Sequence, residues 1–391
     1  MSRIEKNHKI IKFIQSDINL KEYSGYGGLH KVMTSEQHQE LKHILGLETY
    51  HHVMKSCKTA YYTPTELINC IYQGLIKLGF SGGKILEPSC GHGAFIFNMP
   101  GKLIESSIIH AIELDRLSAR IAKSICPYAK ILNSGFENSK FNTNTFDAII
   151  GNPPYGGMTL NDNQFTDLNG MAIHHFFTAK SIYLLKEKGI MAFVLPQYCF
   201  DNLHDHPRHI MAQYGSLIAA FRLPDNMFDN AKVTVDIVFY TKQKINDIAF
   251  TDVKNIQING HKLRINEYYI NHPENIIGEL DTCNMYGQRI GLTVKSTETK
   301  ETIYHQLANK INDLPVCLHS ETKNTDYDVF NSIDQAIEKL KQRQATQTKL
   351  QTKMTAFEIE KLNYLKQELI KQEQVSSQLH NEINAILKQQ V

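Results

Sequence analysis

Short apolar runs recur between residues 60 and 245 and alternate with amphipathic segments. Helix-like stretches from Thr65 to Leu78 and from Leu117 to Ile125 lie between the early runs. Strands that alternate with helices in this way predict a doubly wound, mostly parallel sheet. The seven runs are KILEPS (84–89), IIHAIELD (108–115), AKILNS (129–134), FDAIIGN (146–152), IMAFVLP (190–196), LIAAFRLP (217–224) and VTVDIVFYT (233–241). We therefore expect an α/β fold built on a seven-stranded sheet.

The composition narrows the class of protein further. The chain has 391 residues, of which 42% are hydrophobic and 21% are charged, and its net charge is +2. Its seven cysteines are dispersed without a Cys-x-x-Cys pair, which indicates reduced thiols and neither a disulfide framework nor a zinc site. No apolar stretch is long enough for a signal peptide or a membrane span. We expect a soluble, cytoplasmic protein with no metal ion.

Changes in composition and in the pattern of apolar residues divide the chain into four predicted parts. Residues 1–55 mix helical patterns with the glycine-rich turn YSGYGG (23–28) and form an N-terminal helical extension. Residues 56–245 hold the alternating runs, and residues 246–330 form a small accessory segment. Residues 331–391 are rich in Gln, Lys, Glu and Leu, with apolar residues at helical spacing. That last part is predicted to be a helical tail.

A glycine turn follows the first run. Gly91 and Gly93 allow a ligand to approach the backbone closely, although a dinucleotide fingerprint would have a third glycine where Ile96 stands. Glu113 ends the second run, where an acidic side chain typically binds the two hydroxyls of a ribose. A nucleoside cofactor without a pyrophosphate fits this pair. S-adenosylmethionine is such a molecule.

The sequence GNPPYG (151–156) follows the fourth run, and its prolines must end the strand. A rigid turn at the carboxyl end of such a strand lies beside the expected cofactor crevice. Asn152 offers a side-chain carbonyl and Pro153 a backbone carbonyl, which together suit the two protons of an exocyclic amino group. Tyr155, expected to be exposed, offers a flat surface for stacking. This turn is predicted to recognise an amine on an aromatic ring.

The order of these motifs resembles that of the γ-class adenine-N6 DNA methyltransferases, which have the class I S-adenosylmethionine-dependent methyltransferase fold. The resemblance is closest to the methylase portion of antirestriction methylase–helicase proteins of phages and conjugative elements. It covers roughly residues 20 to 285, and no helicase follows, so we expect only the methylase half. The matching pieces are YSGYGGLHKV (23–32), AYYTP (60–64), LGFSGGKILEPSCGHGAF (78–95), ELDRLSARIAKSICP (113–127), GFE (135–137), NPPY (152–155), IHHFFTAKSI (173–182), RLPDNMF (222–228) and EYYINHPENIIGEL (267–280).

The resemblance implies a role for each matching residue. The catalytic turn would be Asn152, Pro153, Pro154 and Tyr155, with Tyr155 and Phe228 contacting a flipped base. One position departs from the family, because Gly135 stands where many relatives have an aspartate that binds the cofactor adenine. Glu137 or a backbone group would have to replace that contact. The implied cofactor-binding residues are Tyr61, Thr63, Glu87, Pro88, Ser89, Gly91, Gly93, Glu113, Phe136 and Asn152.

The resemblance implies an S-adenosylmethionine-dependent DNA methyltransferase that methylates adenine N6 after base flipping, in a restriction-modification or antirestriction setting on a mobile element. Residues 56–245 would be its catalytic domain, and residues 246–330 the candidate for target recognition. The expected partner is DNA, with self-association or a protein partner through the tail. Two alternatives stay open: a methyltransferase for RNA bases or protein glutamine, and a catalytically idle DNA-binding counter-defence factor.

Overall fold

A computed structural model describes residues 2–12, 20–27, 29, 32–57, 62–228, 232–284 and 289–315. The predicted helical tail, residues 331–391, and Tyr61 lie outside these described residues. The α-helices are α1 (Arg3–Lys12), α2 (Ser35–Leu45), α3 (Leu47–Ser56), α4 (Thr65–Lys77), α5 (Ala94–Phe97), α6 (Gly101–Glu105), α7 (Arg116–Ile125), α8 (Ile173–Leu184), α9 (Tyr198–Asp201), α10 (His206–Tyr214), α11 (Glu267–Asn271) and α12 (Lys300–Asn312). Short 3-10 helices span Leu20–Glu22, Phe136–Asn138, Thr166–Leu168 and Pro273–Asn275.

The strands form one large sheet and two hairpins. They are β1 (Gly83–Glu87), β2 (Ser107–Glu113), β3 (Lys130–Asn133), β4 (Phe146–Gly151), β5 (Leu185–Pro196), β6 (Ser216–Leu223), β7 (Val235–Thr241), β8 (Val253–Ile258), β9 (His261–Asn266), β10 (Glu279–Asn284) and β11 (Ile290–Lys295). The sheet has the order β3-β2-β1-β4-β5-β7-β6, and the hairpins are β8-β9 and β10-β11. Each of the seven predicted runs forms one strand of the sheet, so that prediction is confirmed.

The sheet is parallel from β3 through β5, and β7 enters antiparallel between β5 and β6. Every residue of β4, β6 and β7 is buried, as expected for strands covered on both faces. The strand order reverses between β1 and β4. In open α/β sheets, ligands bind outside the carboxyl ends of the strands at such a switch point.

Helices cover both faces of the sheet. On one face, α4, α5, α6 and α12 share a core with alternate strand residues. On the other face, α8, α9 and α10 pack together with part of the hairpins. The alternation follows from the two-residue repeat of side-chain direction along a strand. The predicted helix between Thr65 and Leu78 is α4, and the one between Leu117 and Ile125 is α7.

The N-terminal extension has a small core of its own. Side chains of α1 and α2 pack with tyrosines of the glycine-rich turn, and this cluster also takes in Leu117 and Ile121 of α7. The extension therefore lies against the helix that follows β2. Within the described residues, no helix is both long and apolar enough to cross a bilayer.

Candidate active site

The carboxyl ends of β1 and β4 lie side by side. Ile85 pairs with Ala148 and Leu86 with Ile149, so the loops that follow the two strands emerge next to each other. Gly151, which ends β4, has φ +145°, and a Cβ there would lie 3.4 Å from Cγ of Glu87. Glycine therefore permits this backbone conformation at the end of β4, and the side chain of Glu87 lies beside it.

The turn after β1 is held in place by Glu113 at the end of β2. Gly91 and Gly93 have φ of +56° and +92°, which L side chains rarely adopt. The N–H of Gly91 donates to Oε2 of Glu113 at 2.7 Å, and the N–H of Asp115 donates to Oε1 at 2.7 Å. The carboxylate thus fixes the glycine turn and the start of α7 together, and the sequence-predicted pair of Gly91 and Glu113 is brought into direct contact.

Two carboxyl groups share this end of the sheet with little water around them. Burial raises the pKa of Glu113 to about 7, although the backbone N–H groups oppose the rise. Burial and, secondarily, the charge of Glu113 raise the pKa of Glu87 well above its usual range. Glu87 is 2% exposed, and its Oε2 finds no hydrogen-bond partner within the described part of the chain. An orphaned buried carboxyl oxygen at a strand end suits a bound polar ligand.

Asn152 is oriented from two sides. Its Nδ2 donates to Oγ1 of Thr63 at 3.1 Å, and its Oδ1 accepts from the hydroxyl of Tyr155 at 2.6 Å. Its backbone carbonyl accepts from Oγ of Ser89 at 3.3 Å. The structure therefore brings together the loop before α4, the loop after β1 and the predicted catalytic turn. Pro88 joins this group, since its Cδ lies 3.8 Å from the Cβ position of Gly151.

The expectation of an exposed Tyr155 is wrong. The side chain is 5% exposed and belongs to the core on the α4 face of the sheet. Its hydroxyl donates to Asn152 and, at 3.3 Å, to the backbone carbonyl of Val194 in β5. Because both acceptors lie inward, the phenol turns into the protein instead of standing free on the loop.

Two further predicted aromatics are also buried. Phe228 is 4% exposed and lines the same pocket as Thr63. Phe136 is 1% exposed, with the ring of Phe177 at 4.8 Å and the ammonium of Lys180 at 4.6 Å. The predicted contact between Phe136 and a cofactor adenine stays a prediction, since α8 covers its ring in this arrangement.

The Glu137 carboxyl lies next to Gly135, the position where many relatives have an aspartate. A Cβ built on Gly135 would lie 2.2 Å from Oε1 of Glu137, so the Glu137 carboxyl occupies the space that a longer side chain at 135 would need. The replacement of that contact by Glu137 or by a backbone group stays a prediction.

Sequence reasoning missed His174 at the start of α8. Burial lowers the pKa of His174 to about 4, and a hydrogen bond to the backbone of Gly156 opposes part of that lowering. The N–H of Ile173 also donates to the carbonyl of Met158 at 2.7 Å. The start of α8 therefore binds the backbone of the loop that follows β4, at Gly156 and Met158. The signal in the sequence was a pair of adjacent histidines at the start of a helix in which every residue but Tyr183 is buried.

His174, His175 and Cys199 bring three ligand-type atoms within 4.8 Å of one another. Burial and then the charges of His174 and Arg208 lower the pKa of His175 to about 3. The guanidinium beside this group disfavours a second cation there. We assign no metal ion to it.

Comparison with known proteins identifies the family of this chain. A family model described as "N-6 DNA Methylase" matches residues 45–286. The chain belongs to the N-6 DNA methylase family. This membership confirms the family expected from the motifs and, with the seven-stranded sheet, the class I methyltransferase fold.

Individual relatives match this family member over part of their own length. It is 26% identical over 248 residues to "Defense against restriction protein B" of Escherichia phage P1, covering 61% of this chain and 10% of that protein. It is 29% identical over 154 residues to the type II methyltransferase M.HincII of Haemophilus influenzae, covering 36% of this chain and 28% of that enzyme. A solved methyltransferase subunit of a type I restriction-modification system from Streptococcus thermophilus is 16% identical, with a TM-score of 0.42, over 62% of this chain and 61% of that one.

The raised pKa of Glu113, whose side chain is half-buried, predicts a measurable pH effect. A carboxyl whose pKa rises from 4.5 to about 7 on folding stabilises the protein below pH 4.5, and this stability is lost as the pH rises toward 7. In Glu113→Gln, a neutral side chain replaces it, so the unfolding free energy should fall less over that interval than in the wild type. Urea unfolding at a series of pH values measures both slopes. A constant offset is expected as well, because one amide oxygen cannot accept both N–H groups, and parallel curves would contradict the assignment.

Proposed function

We propose that this protein is an S-adenosylmethionine-dependent DNA methyltransferase that transfers a methyl group to N6 of an adenine flipped out of the duplex. One observation carries the proposal: Asn152 is oriented by Thr63 and Tyr155 beside the turn after β1. Family membership supports the same reaction class. Because the chain spans about a tenth of the phage relative and about a quarter of the Haemophilus relative, the activity rests on the site itself.

The residues at the ends of β1 and β2 fit a nucleoside cofactor. Each oxygen of Glu113 accepts one backbone N–H, and a carboxylate oxygen can accept more than one hydrogen bond, so the ribose hydroxyls have acceptors there. Glu87 adds the orphaned Oε2, while Thr63 and Ser89 border the methionine side. Bound S-adenosylmethionine would supply a methyl group on a positively charged sulfur.

The catalytic turn would act on the adenine amino group. That nitrogen is a weak nucleophile because its lone pair is delocalised into the ring. Two acceptors, Oδ1 of Asn152 and the carbonyl of Pro153, would hold its protons and concentrate the lone pair on one face. Thr63 fixes which end of the Asn152 amide faces the substrate, since Nδ2 is engaged by its hydroxyl. Holding the reacting groups in line supplies much of the remaining acceleration.

The flipped base needs stacking partners to offset the cost of leaving the duplex. Phe228 lines the pocket next to Thr63, and Tyr155 would stack on the base after its ring turns out of the core. Pro154 would stiffen the turn between Pro153, which would bind the amino group, and Tyr155, which would stack on the base.

Reading a target sequence needs side chains that reach base edges. The described part of the accessory segment consists of the β8-β9 and β10-β11 hairpins, the short helix α11 with the 3-10 turn after it, and α12, which packs on α4. Two short hairpins offer little surface for base readout, so we propose low sequence specificity or a specificity partner, with residues 331–391 as its contact. Work on cellular DNA would place the protein in the cytoplasm.

Purified protein should make N6-methyladenine in DNA. Unmodified DNA, RNA and a protein extract would each be incubated with methyl-labelled S-adenosylmethionine, then digested and analysed by mass spectrometry. We expect label in N6-methyladenine from DNA, and long-read sequencing of that DNA would give the sites. Label confined to RNA or to glutamine, or no label despite cofactor binding, would overturn the proposal in favour of the corresponding alternative.

Two substitutions at Tyr155 separate its hydroxyl from its ring. Tyr155→Phe removes one hydrogen bond to Asn152, worth about 1 kcal/mol, so the single-turnover rate should fall about fivefold. Tyr155→Ala also removes the ring, and the rate should fall by a further factor of about 5–150, since stacking contributes about 1–3 kcal/mol per base. Cofactor binding and urea unfolding show whether the alanine variant is folded. Equal rates in the two variants would contradict a role for the ring.

A further inference from the structure

The glycine-rich turn of the N-terminal extension, which the proposed reaction does not use, packs directly on the cofactor-side loops. A Cβ on Gly25 would lie 2.0 Å from the ring of Tyr62, so only glycine allows this contact. The ring of Tyr62 lies 5.0 Å from that of His92 in the glycine turn after β1. Tyr23 meets His92 edge-on at 6.0 Å. The extension is therefore fitted against the site and forms part of it.

Hydrogen bonds from α1 fix this turn. Nη2 of Arg3 donates to the carbonyl of Ser24 at 2.6 Å, and Nδ2 of Asn7 donates to the carbonyl of Gly25 at 2.5 Å. The N–H of Ser24 donates back to Oδ1 of Asn7 at 3.1 Å. Asn7 is fully buried. Since buried polar groups with satisfied partners hold a fixed geometry, α1 presents its other side chains at a defined position.

Side chains of α1 and of the segment that follows it line a pocket of about 400 Å³ between the extension and the catalytic domain. On the catalytic side lie Thr63, which holds Asn152, and Phe228. On the extension side lie Arg3, Lys6 and Lys21, which we call the N-terminal wall. Glu22 also lines the pocket and pairs with Lys6 at 3.0 Å, so these four side chains carry two net positive charges.

We propose that the N-terminal wall holds the backbone phosphates beside the flipped adenine. The inference deepens the proposed function and rests on it. Lys6 and Lys21 are partly exposed, with Lys6 at 43%, so they can reach an anion in water without a large desolvation cost. A sugar-phosphate entering next to Phe228 and Thr63 would pass between these cations and the acceptor turn.

The cofactor is a less suitable occupant for this wall. Glu87, Ser89 and Glu113, which would hold it, do not line the pocket, and among the described cofactor-site residues Thr63 alone belongs to both sites. Phosphate contacts position a protein on DNA without reading sequence. That role fits a chain whose described accessory segment offers little surface for base readout.

The test uses the full chain and a long, mixed-sequence DNA duplex. Dissociation constants would be measured at several salt concentrations for wild type, Lys6→Ala, Lys21→Ala, the double variant and Glu22→Gln. Lys9→Ala is the matched control, because Lys9 lies on α1 and is exposed but does not line the pocket. Cofactor affinity and methylation of the same DNA are measured in parallel.

We expect the slope of log K against log salt to become shallower by about 0.7–0.9 for each lysine removed, because each released phosphate contact contributes that amount. Glu22→Gln should bind DNA more tightly, and Lys9→Ala should match the wild type. Slopes of the pocket variants equal to that of Lys9→Ala, or a loss of cofactor affinity with unchanged DNA slopes, would overturn the inference while wild-type methylation stands. If the lysine variants change the salt slope as expected but the wild type makes no N6-methyladenine, the proposed reaction is wrong. The assignment of the N-terminal wall to phosphate binding would then stand.

Discussion

The parallel pairing of β1 with β4 determines the rest of the site. It places two loops, 87–93 and 151–156, at one edge of the sheet, and it does so where the strand order reverses. Gly151, with φ +145°, allows the backbone to turn at the end of β4 beside the side chain of Glu87. Every other element adds to this junction: β2 brings Glu113, the loop before α4 brings Thr63, and α8 holds the loop on its return.

The carboxyl groups at the ends of β1 and β2 make this part of the fold less stable than apolar side chains would. Glu87 and Glu113 are carboxyl groups in a poorly solvated place, and burial raises the pKa of both. A core designed for stability alone would have apolar residues there, since buried groups without complete partners are unfavourable. Perturbed groups in a cleft are typical of functional sites. The N-terminal extension contributes positive charge to a different pocket, because Arg3, Lys6 and Lys21 line a pocket that includes Thr63 but neither Glu87 nor Glu113.

Much of the fold followed from the sequence, because burial on two faces leaves apolar runs and the two-residue repeat assigns them to strands. Motif order and the family resemblance singled out Thr63, Gly91, Glu113 and Asn152 one by one, but the contacts of Gly91 with Glu113 and of Thr63 with Asn152 came from the structure. The burial of Tyr155 did not follow from the sequence, because its second acceptor, Val194, lies in β5 and no local pattern marks that contact. The cover over Phe136 comes from α8, and the N-terminal wall depends on how α1 packs, which spacing along the chain does not encode.

The central claim is that the oxygen of Asn152 holds the amine that receives the methyl group. Single-turnover transfer to DNA and equilibrium binding of S-adenosylmethionine, measured on Asn152→Ala and wild type, test it most directly. The account predicts that transfer slows by at least about 100-fold, the loss typical of removing one group that stabilises the transition state. Cofactor affinity should change little. Transfer at the wild-type rate, or loss of cofactor binding together with transfer, would contradict it.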